Sequence, residues 1–169
     1  ATTDIYNLSL HDALPIYAHL KQFQSESVKD YDVARSAMHR TAITHLKDKN
    51  LKHISGGERQ RVMIARALAQ ETDTLLLDEP ISHLDIKYQL EILTMCRALS
   101  REKQMTVIST LHDINMAARF SDLMILMKAG EIVEMGTPSE VMTPDIIRAV
   151  YDVEAHITTI SNQIHAVFV

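Results

Sequence analysis

Short apolar runs alternate with longer amphipathic segments from residue 55 onwards, and this alternation constrains the fold more than any other feature of the sequence. Thr74 to Leu77 and Thr106 to Ser109 each have the length and composition of a buried strand. The segments around them repeat apolar residues with helical spacing. Strands alternating with helices predict an α/β domain with a mainly parallel sheet.

The same patterns predict the other elements. A first amphipathic helix is expected over about Asp30 to Lys47, and a second after Ser55 with Val62, Ala65, Leu68 and Ala69 on its buried side. In a third helix, Ile86, Leu90, Leu93 and Cys96 are expected to trace the buried face. Further expectations are a helix over Asp113 to Phe120, a strand over Leu123 to Met127, a hairpin partner over Glu131 to Glu134 after Ala129-Gly130, a capping box over Thr137 to Glu140, and a short helix opening at Thr143-Pro144.

Composition excludes several classes of protein. The formal net charge is -5, which argues against a nucleic-acid binder that works by broad electrostatic attraction. No run of 18 apolar residues is present, so the sequence predicts no segment that crosses a bilayer unaided. The single cysteine, Cys96, excludes an internal disulfide and suits a reducing compartment.

Glycine is scarce. There are four glycines, Gly56, Gly57, Gly130 and Gly136, and none lies in the first 55 residues. A phosphate-binding P-loop needs two glycines five positions apart, followed by a lysine, and no pair here has that arrangement. The sequence therefore contains no P-loop.

The first residues are unusual. Asp4 to Ile16 have neither the charged start nor the long apolar centre of a secretory signal. They look like translated read-through of a sequencing adapter, so residues 1–16 are expected to lie outside the fold. A genuine irregular terminus is the alternative.

The segment Ser55-Gly56-Gly57-Glu58-Arg59-Gln60 begins the second predicted helix. The Ser55 hydroxyl is expected to accept from the Glu58 amide, while the Glu58 side chain reaches back to Ser55. A helix N-terminus with two glycines can also bind a phosphate through its unpaired amides. A plain helix cap is the simpler alternative.

Two adjacent carboxylates, Asp78 and Glu79, follow the first predicted strand. The carboxyl end of such a strand is where ligands bind in open α/β sheets, so one acid can hold hydrated Mg²⁺ while the other orients or deprotonates water. An acidic turn after a core strand is the alternative. Ser82 to Asp85, taken alone, is only a helix-start signal.

His112 follows the second predicted strand. It is expected to face the same sheet edge, where it could donate a hydrogen bond to a phosphate. A structural or solvated histidine is the alternative. The other eight histidines form no H-E-x-x-H or Cys/His pattern, so no transition-metal site is predicted.

Taken jointly and in order, these segments resemble the second half of an ABC-type ATPase domain, over roughly Asp30 to Tyr151. SGGERQR resembles the signature motif of that family, LLLDEP its Walker B strand with the catalytic glutamate, SHLD its D-loop, and LHD its switch histidine. Glu58 stands where glutamine is commoner, and Ile81 where threonine is usual. The fold implied is a partial P-loop NTPase domain with a remnant of the helical subdomain.

The resemblance implies ATP and Mg²⁺ as cofactors and a role for each motif residue. Ser55 and Gly57 would contact the γ-phosphate of a nucleotide held by a partner subunit, within a binding turn that includes Gly56 and Glu58. The remaining roles are Mg²⁺ binding through water for Asp78, general base for Glu79, bracing of the γ-phosphate for His112, and communication across the dimer for Asp85.

The resemblance also implies an incomplete site. In this family the Walker A loop, an adenine-stacking aromatic and the Q-loop glutamine precede the signature motif, and the 54 residues before Ser55 contain none of them. Two such domains pair head to tail, and each nucleotide lies between the Walker A loop of one and the signature motif of the other. The isolated chain is therefore expected not to hydrolyse ATP.

Further segments resemble the ATPase subunits of bacterial importers for iron-siderophore, haem or cobalamin, namely LHDIN, AAR, GEIV and GTPSEV. This branch implies a second ABC ATPase subunit and membrane-spanning permease subunits as partners, no nucleic acid, and a cytoplasmic location on the inner face of the membrane. The implied domains are residues 17–54 as a partial helical subdomain, 55–151 as half of the ATPase core, and 152–169 as a tail. A soluble ABC-type ATPase acting on nucleic acid or ribosomes, and a non-catalytic fragment that pairs with an intact ABC subunit, remain alternatives.

Overall fold

The computed structural model describes residues 28–169, which fall into two compact units with the boundary after Ile108. The expectations for residues 1–16, and for the first part of the predicted helical subdomain, lie outside the described residues.

In its described part, from residue 28 onwards, the first unit combines three α-helices with two short strands. Its elements are α1 (Val28–Arg40), two single turns of 3₁₀ helix (Thr44–Leu46 and Leu51–His53), α2 (Gly56–Leu68), β1 (Thr74–Leu77), α3 (Ile86–Lys103) and β2 (Thr106–Ser109). The strands β1 and β2 are neighbours in a small parallel sheet. The predicted bounds of both strands are confirmed, and so is the α/β class.

The prediction for α1 was wrong at its C-terminal end, because the helix stops at Arg40 rather than near Lys47. Ala42 adopts a left-handed conformation with φ 56°, and the Ile43 amide donates to the Met38 carbonyl at 3.0 Å. This is the Schellman arrangement that closes many helices, here with alanine where glycine is usual. It turns Ile43, which is fully buried, back into the core.

The buried face predicted for α2 is confirmed. Val62, Ala65, Leu68 and Ala69 are all buried. For α3 the prediction was wrong in the first turn: Ile86 is 69% exposed, whereas the buried side chains are Ile92, Leu93, Cys96 and Leu99. Helical spacing identifies the apolar face of a helix. The neighbouring elements decide which turns of that face are buried.

The expectation that β1 is buried was wrong for one face. Leu75 is buried, but Leu76 on the opposite face is 71% exposed. Ile108 of β2 is also 52% exposed. Successive side chains of a strand point to opposite faces of the sheet, and within residues 28–169 only one face is well covered.

The second unit consists of short helices and two antiparallel hairpins. Its elements are α4 (Ile114–Phe120), β3 (Met124–Lys128), β4 (Glu131–Gly136), α5 (Pro138–Val141), α6 (Pro144–Tyr151), β5 (Ala155–Ile160) and β6 (Gln163–Phe168). The core of this unit is formed by Ile114, Ala118, Met124, Leu126, Val141, Met142, Ile147, Val150, Ala155 and Ala166. The predicted α4, β3, β4 and α6 are confirmed within one or two residues. The β5–β6 hairpin was not predicted.

Both hairpins close with two residues of positive φ. Ala129 and Gly130 have φ values of 52° and 85° between β3 and β4, while Ser161 and Asn162 have values of 50° and 62° between β5 and β6. Positive φ at both central positions is the mark of a type I′ turn, whose twist matches that of the paired strands.

The capping box before α5 is confirmed as well, since the Thr137 amide donates to a Glu140 carboxylate oxygen at 2.7 Å.

Candidate functional site

The turn Ser55–Glu58 opens α2 with the predicted reciprocal cap. Ser55 is the N-cap residue in extended conformation, and its Oγ accepts from the Glu58 amide at 3.3 Å. A Glu58 carboxylate oxygen in turn accepts from the Ser55 amide at 2.7 Å. The box uses the amides of Ser55 and Glu58, and it leaves those of Gly56 and Gly57 without a partner inside the helix. These amides, with the positive end of the helix dipole, form an arrangement suited to an anion.

Glu58 is held in its charged form. Hydrogen bonds from the Ser55 amide and hydroxyl lower the pKa of this carboxyl, and the nearby positive charge of Lys49 adds to the effect. His45 also lies beside it, with its Nε2 atom 3.8 Å from a Glu58 oxygen. The negative charge at the start of α2 therefore stabilises the helix dipole, and it also stands next to the amides that would bind a phosphate.

The two glycines of this turn differ in their surroundings, since Gly56 is exposed. Gly57 is buried, and a Cβ atom at this position would lie 2.9 Å from Cδ1 of Tyr88 in α3. A Cβ atom at Gly56 would lie 3.6 Å from Cδ2 of Leu84, an ordinary contact. The structure thus brings the Ser55–Glu58 turn against the Ser82–Asp85 loop and the start of α3. Sequence reasoning assigned these glycines to phosphate approach alone and missed Tyr88.

Glu79 occupies a strained position at the end of β1. Its φ of 46° places a non-glycine residue in the left-handed region, a conformation that persists only where the surroundings enforce it. The Ser82 hydroxyl donates to Oε2 of Glu79 at 2.8 Å, and the Ser82 amide donates to the Glu79 carbonyl at 3.2 Å. The first bond orients the exposed carboxylate and the second holds the backbone turn, and a residue that takes a proton from bound water requires such an orientation.

The loop after Glu79 is fixed from α3. Nε2 of Gln89 donates to the carbonyl of Leu84 at 2.9 Å and to that of Ile81 at 3.4 Å. His83 in the same loop has a φ of 61°. Asp85 is the N-cap residue of α3, but its exposed carboxylate makes no capping bond to that helix. Contacts of this kind carry no sequence signal, so the Ser82 segment was identified but the contacts of Ser82 and Gln89 were not predicted.

Arg61 connects three segments of the first unit. Its guanidinium donates to the Thr41 carbonyl at 3.1 Å and to a Glu91 carboxylate oxygen at 2.6 Å. Its side chain is largely buried, whereas that of Glu91 is partly exposed. The second arginine of the SGGERQR segment therefore holds α2 to α3 and to the end of α1.

Asp78 and Glu79 offer only carboxylate oxygens. In residues 28–169, no three or more His, Cys, Asp or Glu side chains cluster closely enough to enclose a metal ion. Mg²⁺ is commonly held by one or two carboxylates together with waters and substrate phosphates, rather than by an all-protein cage. The two adjacent carboxylates could therefore contribute a ligand to magnesium delivered with a nucleotide.

His112 belongs to the second unit and is exposed on a bend before α4. Asp113 is the N-cap residue of that helix, and its Oδ1 accepts from the amides of Asn115 and Met116 at 2.8 and 2.9 Å. The predicted site residues thus divide between the units: Ser55 to Glu58, Asp78, Glu79 and Asp85 lie in the first, and His112 lies in the second.

Comparison with known proteins identifies the family. Residues 5–82 match the family model described as "ABC transporter", and this range includes the Ser55–Glu58 turn and both acids after β1. The iron(3+)-hydroxamate import ATP-binding protein of Bacillus subtilis is 40% identical over 154 residues, which are 90% of this chain and 57% of that protein. The chain belongs to the ABC transporter ATPase family.

Other relatives of this ABC ATPase chain point the same way. The ferric enterobactin transport ATP-binding protein of Escherichia coli is 42% identical over 135 residues, or 80% of this chain and 50% of that protein. The hemin import ATP-binding protein of Bordetella parapertussis is 43% identical over 133 residues, or 74% of this chain and 51% of that protein. The chain thus spans about half the length of the curated relatives it matches.

Solved structures agree on the fold. A metal-chelate type ABC transporter in an inward-facing conformation superposes with a TM-score of 0.87 at 27% identity, covering 96% of this chain and 67% of that one. A second match is cbiO1 of Clostridium perfringens, part of the ABC transporter complex cbiONQ, with a TM-score of 0.71 at 30% identity. It covers 83% of this chain and 55% of that one. Within residues 28–169, no helix is long and apolar enough to span a membrane.

Proposed function

We propose that this chain acts in ATP binding and hydrolysis for a bacterial ABC importer of iron-siderophore or related chelates. The observation that carries the proposal lies in the first unit, where the signature turn packs on the loop whose Ser82 holds Glu79. The names of the relatives favour iron(3+)-hydroxamate, ferric enterobactin or hemin as the class of cargo.

The residues of the first unit have separate roles in binding and hydrolysing the nucleotide. The Ser55 hydroxyl and the amides of Gly56 and Gly57 bind the γ-phosphate of a nucleotide held by a partner subunit, with Glu58 keeping the turn in shape. Asp78 would hold magnesium through water, and the chemistry supplied there would be neutralisation of charge on the phosphates. Glu79 orients the attacking water and takes its proton, because Ser82 fixes the direction of its carboxylate.

His112 and Asp85 complete the proposed machinery. His112 donates to the γ-phosphate and stabilises charge that develops in the transition state. Asp85, whose carboxylate makes no capping bond to α3, contacts the partner subunit across the head-to-tail dimer. The membrane-spanning permease subunits then place the assembly on the cytoplasmic face of the membrane.

The sequence contains no P-loop, so the isolated 169 residues are expected to hydrolyse no ATP. A phosphate-release assay on the purified chain with Mg²⁺ and ATP measures this directly. Turnover that disappears in the Glu79→Gln variant would contradict the expectation.

A chimera tests the catalytic roles. The chimera joins residues 55–169 of this chain to the part of the Bacillus subtilis hydroxamate relative that precedes its own signature motif. This chimera is expected to hydrolyse ATP, and Glu79→Gln should lower kcat at least about 100-fold, since a positioned general base contributes on that scale. Glu131→Gln, on the exposed β4, is the matched control. A Glu79→Gln chimera as fast as its parent would remove Glu79 from the proposed mechanism.

The importer assignment is tested in cells. The chimera is expressed in a Bacillus subtilis strain that lacks its own hydroxamate import ATP-binding protein. Growth on iron(3+)-hydroxamate as the iron source should return with the chimera and not with its Glu79→Gln variant. An enzymatically active chimera that never restores growth would argue against the importer assignment while leaving the ATPase assignment intact.

A second candidate function is non-catalytic. The first unit carries a complete signature turn, so the chain could pair with an intact ABC subunit and regulate it. Adding the 169-residue chain to the Bacillus subtilis relative and measuring ATP hydrolysis decides this. An unchanged rate at a large excess of the chain would count against it.

A further inference from the structure

Asn115 of α4 makes a double hydrogen bond to the backbone of β6. Its side-chain Nδ2 donates to the Ala166 carbonyl at 3.1 Å, and its Oδ1 accepts from the Ala166 amide at 2.8 Å. The two residues are 51 positions apart, and the contact is partly buried. A side-chain amide can satisfy both backbone groups of one strand residue in this way, so Asn115 acts as a one-residue extension of the sheet.

Packing around this contact joins α4 to the C-terminal hairpin. Ile114 and Ala118 of α4 are buried in the same core as Ala155 of β5 and Ala166 of β6. A seven-residue helix is too short to persist on its own, so tertiary contacts must hold it. The strands β5 and β6 therefore stabilise α4 through apolar packing and through one specific polar contact.

The N-terminus of α4 carries His112. The Asp113 carboxylate closes the first turn by accepting from the Asn115 and Met116 amides, so His112 is covalently attached to a capped turn. Asn115 thus takes part in two contacts at once: its backbone is bound to the cap beside His112, and its side chain is bound to β6.

We propose that Asn115 is a positioning residue through which the β5–β6 hairpin fixes the backbone of His112. The hairpin lies beyond the segment that resembles the ABC ATPase motifs, and the proposal gives it a role. The consequence for catalysis rests on the proposed function, because it requires that His112 act on the nucleotide. The structural link between the hairpin and His112 does not depend on the proposed function.

The link is tested in the unmodified 169-residue chain by native-state hydrogen exchange followed by NMR. The amides of Asn115, Met116 and Ala166 are expected to open together, with a common opening free energy and a common dependence on denaturant. An Ala166 amide that opens independently of the other two would overturn the proposal.

The Asn115→Ala variant gives the second measurement. The ¹⁵N order parameter of the His112 backbone is expected to fall from a rigid value of about 0.85 to below about 0.6, while Leu126 in the same unit stays rigid. Thr158→Ala, at an exposed position of β5, is the control and should leave His112 unchanged. A variant whose Ala166 amide loses protection while His112 keeps its order would overturn the proposal. If the variant does not fold, the exchange measurement on the unmodified chain decides.

Kinetics of the chimera separate this inference from the proposed function. Asn115→Ala is expected to lower kcat about tenfold with little change in KM for ATP, as for a support that orients another residue. In a His112→Ala background the same change should have no further effect. If His112→Ala leaves the rate intact, the proposed role of His112 fails. If His112→Ala lowers the rate and Asn115→Ala does not, the positioning role of Asn115 fails.

Discussion

Individual residues in this chain serve packing and function together. Gly57 presents an amide at the start of α2, yet it is also pressed against the ring of Tyr88. Glu58 shapes the same turn through its bond to Ser55. A residue assigned to ligand binding by its motif can therefore change stability when it is substituted, and the two effects have to be measured separately.

Gly57→Ala is expected to destabilise the first unit by roughly 1 to 3 kcal/mol, because the new methyl group forces Tyr88 to move. The measurement is urea unfolding of the 169-residue chain. Gly56→Ala is the matched control, since a methyl group there meets Leu84 at an ordinary distance. Tyr88→Ala should relieve most of the cost in the double variant, and equal costs for the two glycine variants would contradict the packing argument.

Glu58 should make stability depend on pH in the acid range. Its folded pKa is lowered by the Ser55 hydrogen bonds, so its contribution is fully present above the ordinary glutamate pKa and is lost as the pH falls through the folded value. The expected loss is below about 1 kcal/mol, because the site is partly exposed and screened. It is measured by chemical unfolding at a series of pH values between about 6 and 3.

Glu58→Gln keeps a capping side chain but cannot titrate, so its stability should fall less with acid than that of the parent chain. Glu131→Gln, on the exposed β4, is expected to follow the parent. Parallel profiles for all three chains would exclude the Ser55–Glu58 bond as the cause.

At the scale of elements, the ends of helices and the turns of hairpins depend on a few backbone conformations. The turn that closes α1 passes through Ala42 and the β3–β4 turn passes through Ala129, both at positive φ. Alanine has little preference for this region, and the usual signal, a glycine or asparagine, is absent at both positions. Without such a residue at the end of α1, the sequence prediction placed the end of the helix too late. At the β3–β4 turn, Gly130 was sufficient to predict the hairpin.

Ala129→Asn is expected to stabilise the second unit by about 0.5 to 1 kcal/mol, since asparagine tolerates the left-handed conformation better than alanine. Thermal unfolding of the chain measures it. Asn162→Ala in the β5–β6 turn is the converse variant and should lower stability. A destabilised Ala129→Asn chain would show that the side chain at this position, rather than φ, controls the turn.

At the scale of the whole molecule, apolar surface is unevenly distributed. On one face of the β3–β4 hairpin, Ile125 pairs with Met135 and Met127 with Ile132, and all four are about half exposed or more. In the other unit, Leu76 of β1 is also exposed. Contiguous apolar patches of this kind are uncommon on monomeric proteins and favour association.

The chain is therefore expected to associate as its concentration rises, and Ile132→Thr should increase the monomer fraction. Sedimentation velocity over a tenfold or wider range of concentration measures both effects. Val153→Thr is the control, because this exposed residue lies outside the hairpin face. A monomeric sample with one sharp thermal transition would contradict the expectation.

What the sequence determined by itself is the local structure and the motifs. The strands Thr74 to Leu77 and Thr106 to Ser109, the Ser55–Glu58 box and each single ABC motif depend on residues within a few positions of one another. Such interactions can be predicted from the sequence because the geometry of one helix turn or one strand brings each side chain to its partner.

Only the tertiary structure decided which distant residues meet. Three contacts join residues 30 to 51 positions apart. They are the packing of Gly57 beside Tyr88, the bond of Arg61 to Glu91 and the double hydrogen bond of Asn115 to Ala166. Of these, the Gly57 contact spans 31 positions, from 57 to 88. Many alternative partners have similar chemistry, and the choice among them follows from how whole helices and hairpins pack, which no local pattern encodes.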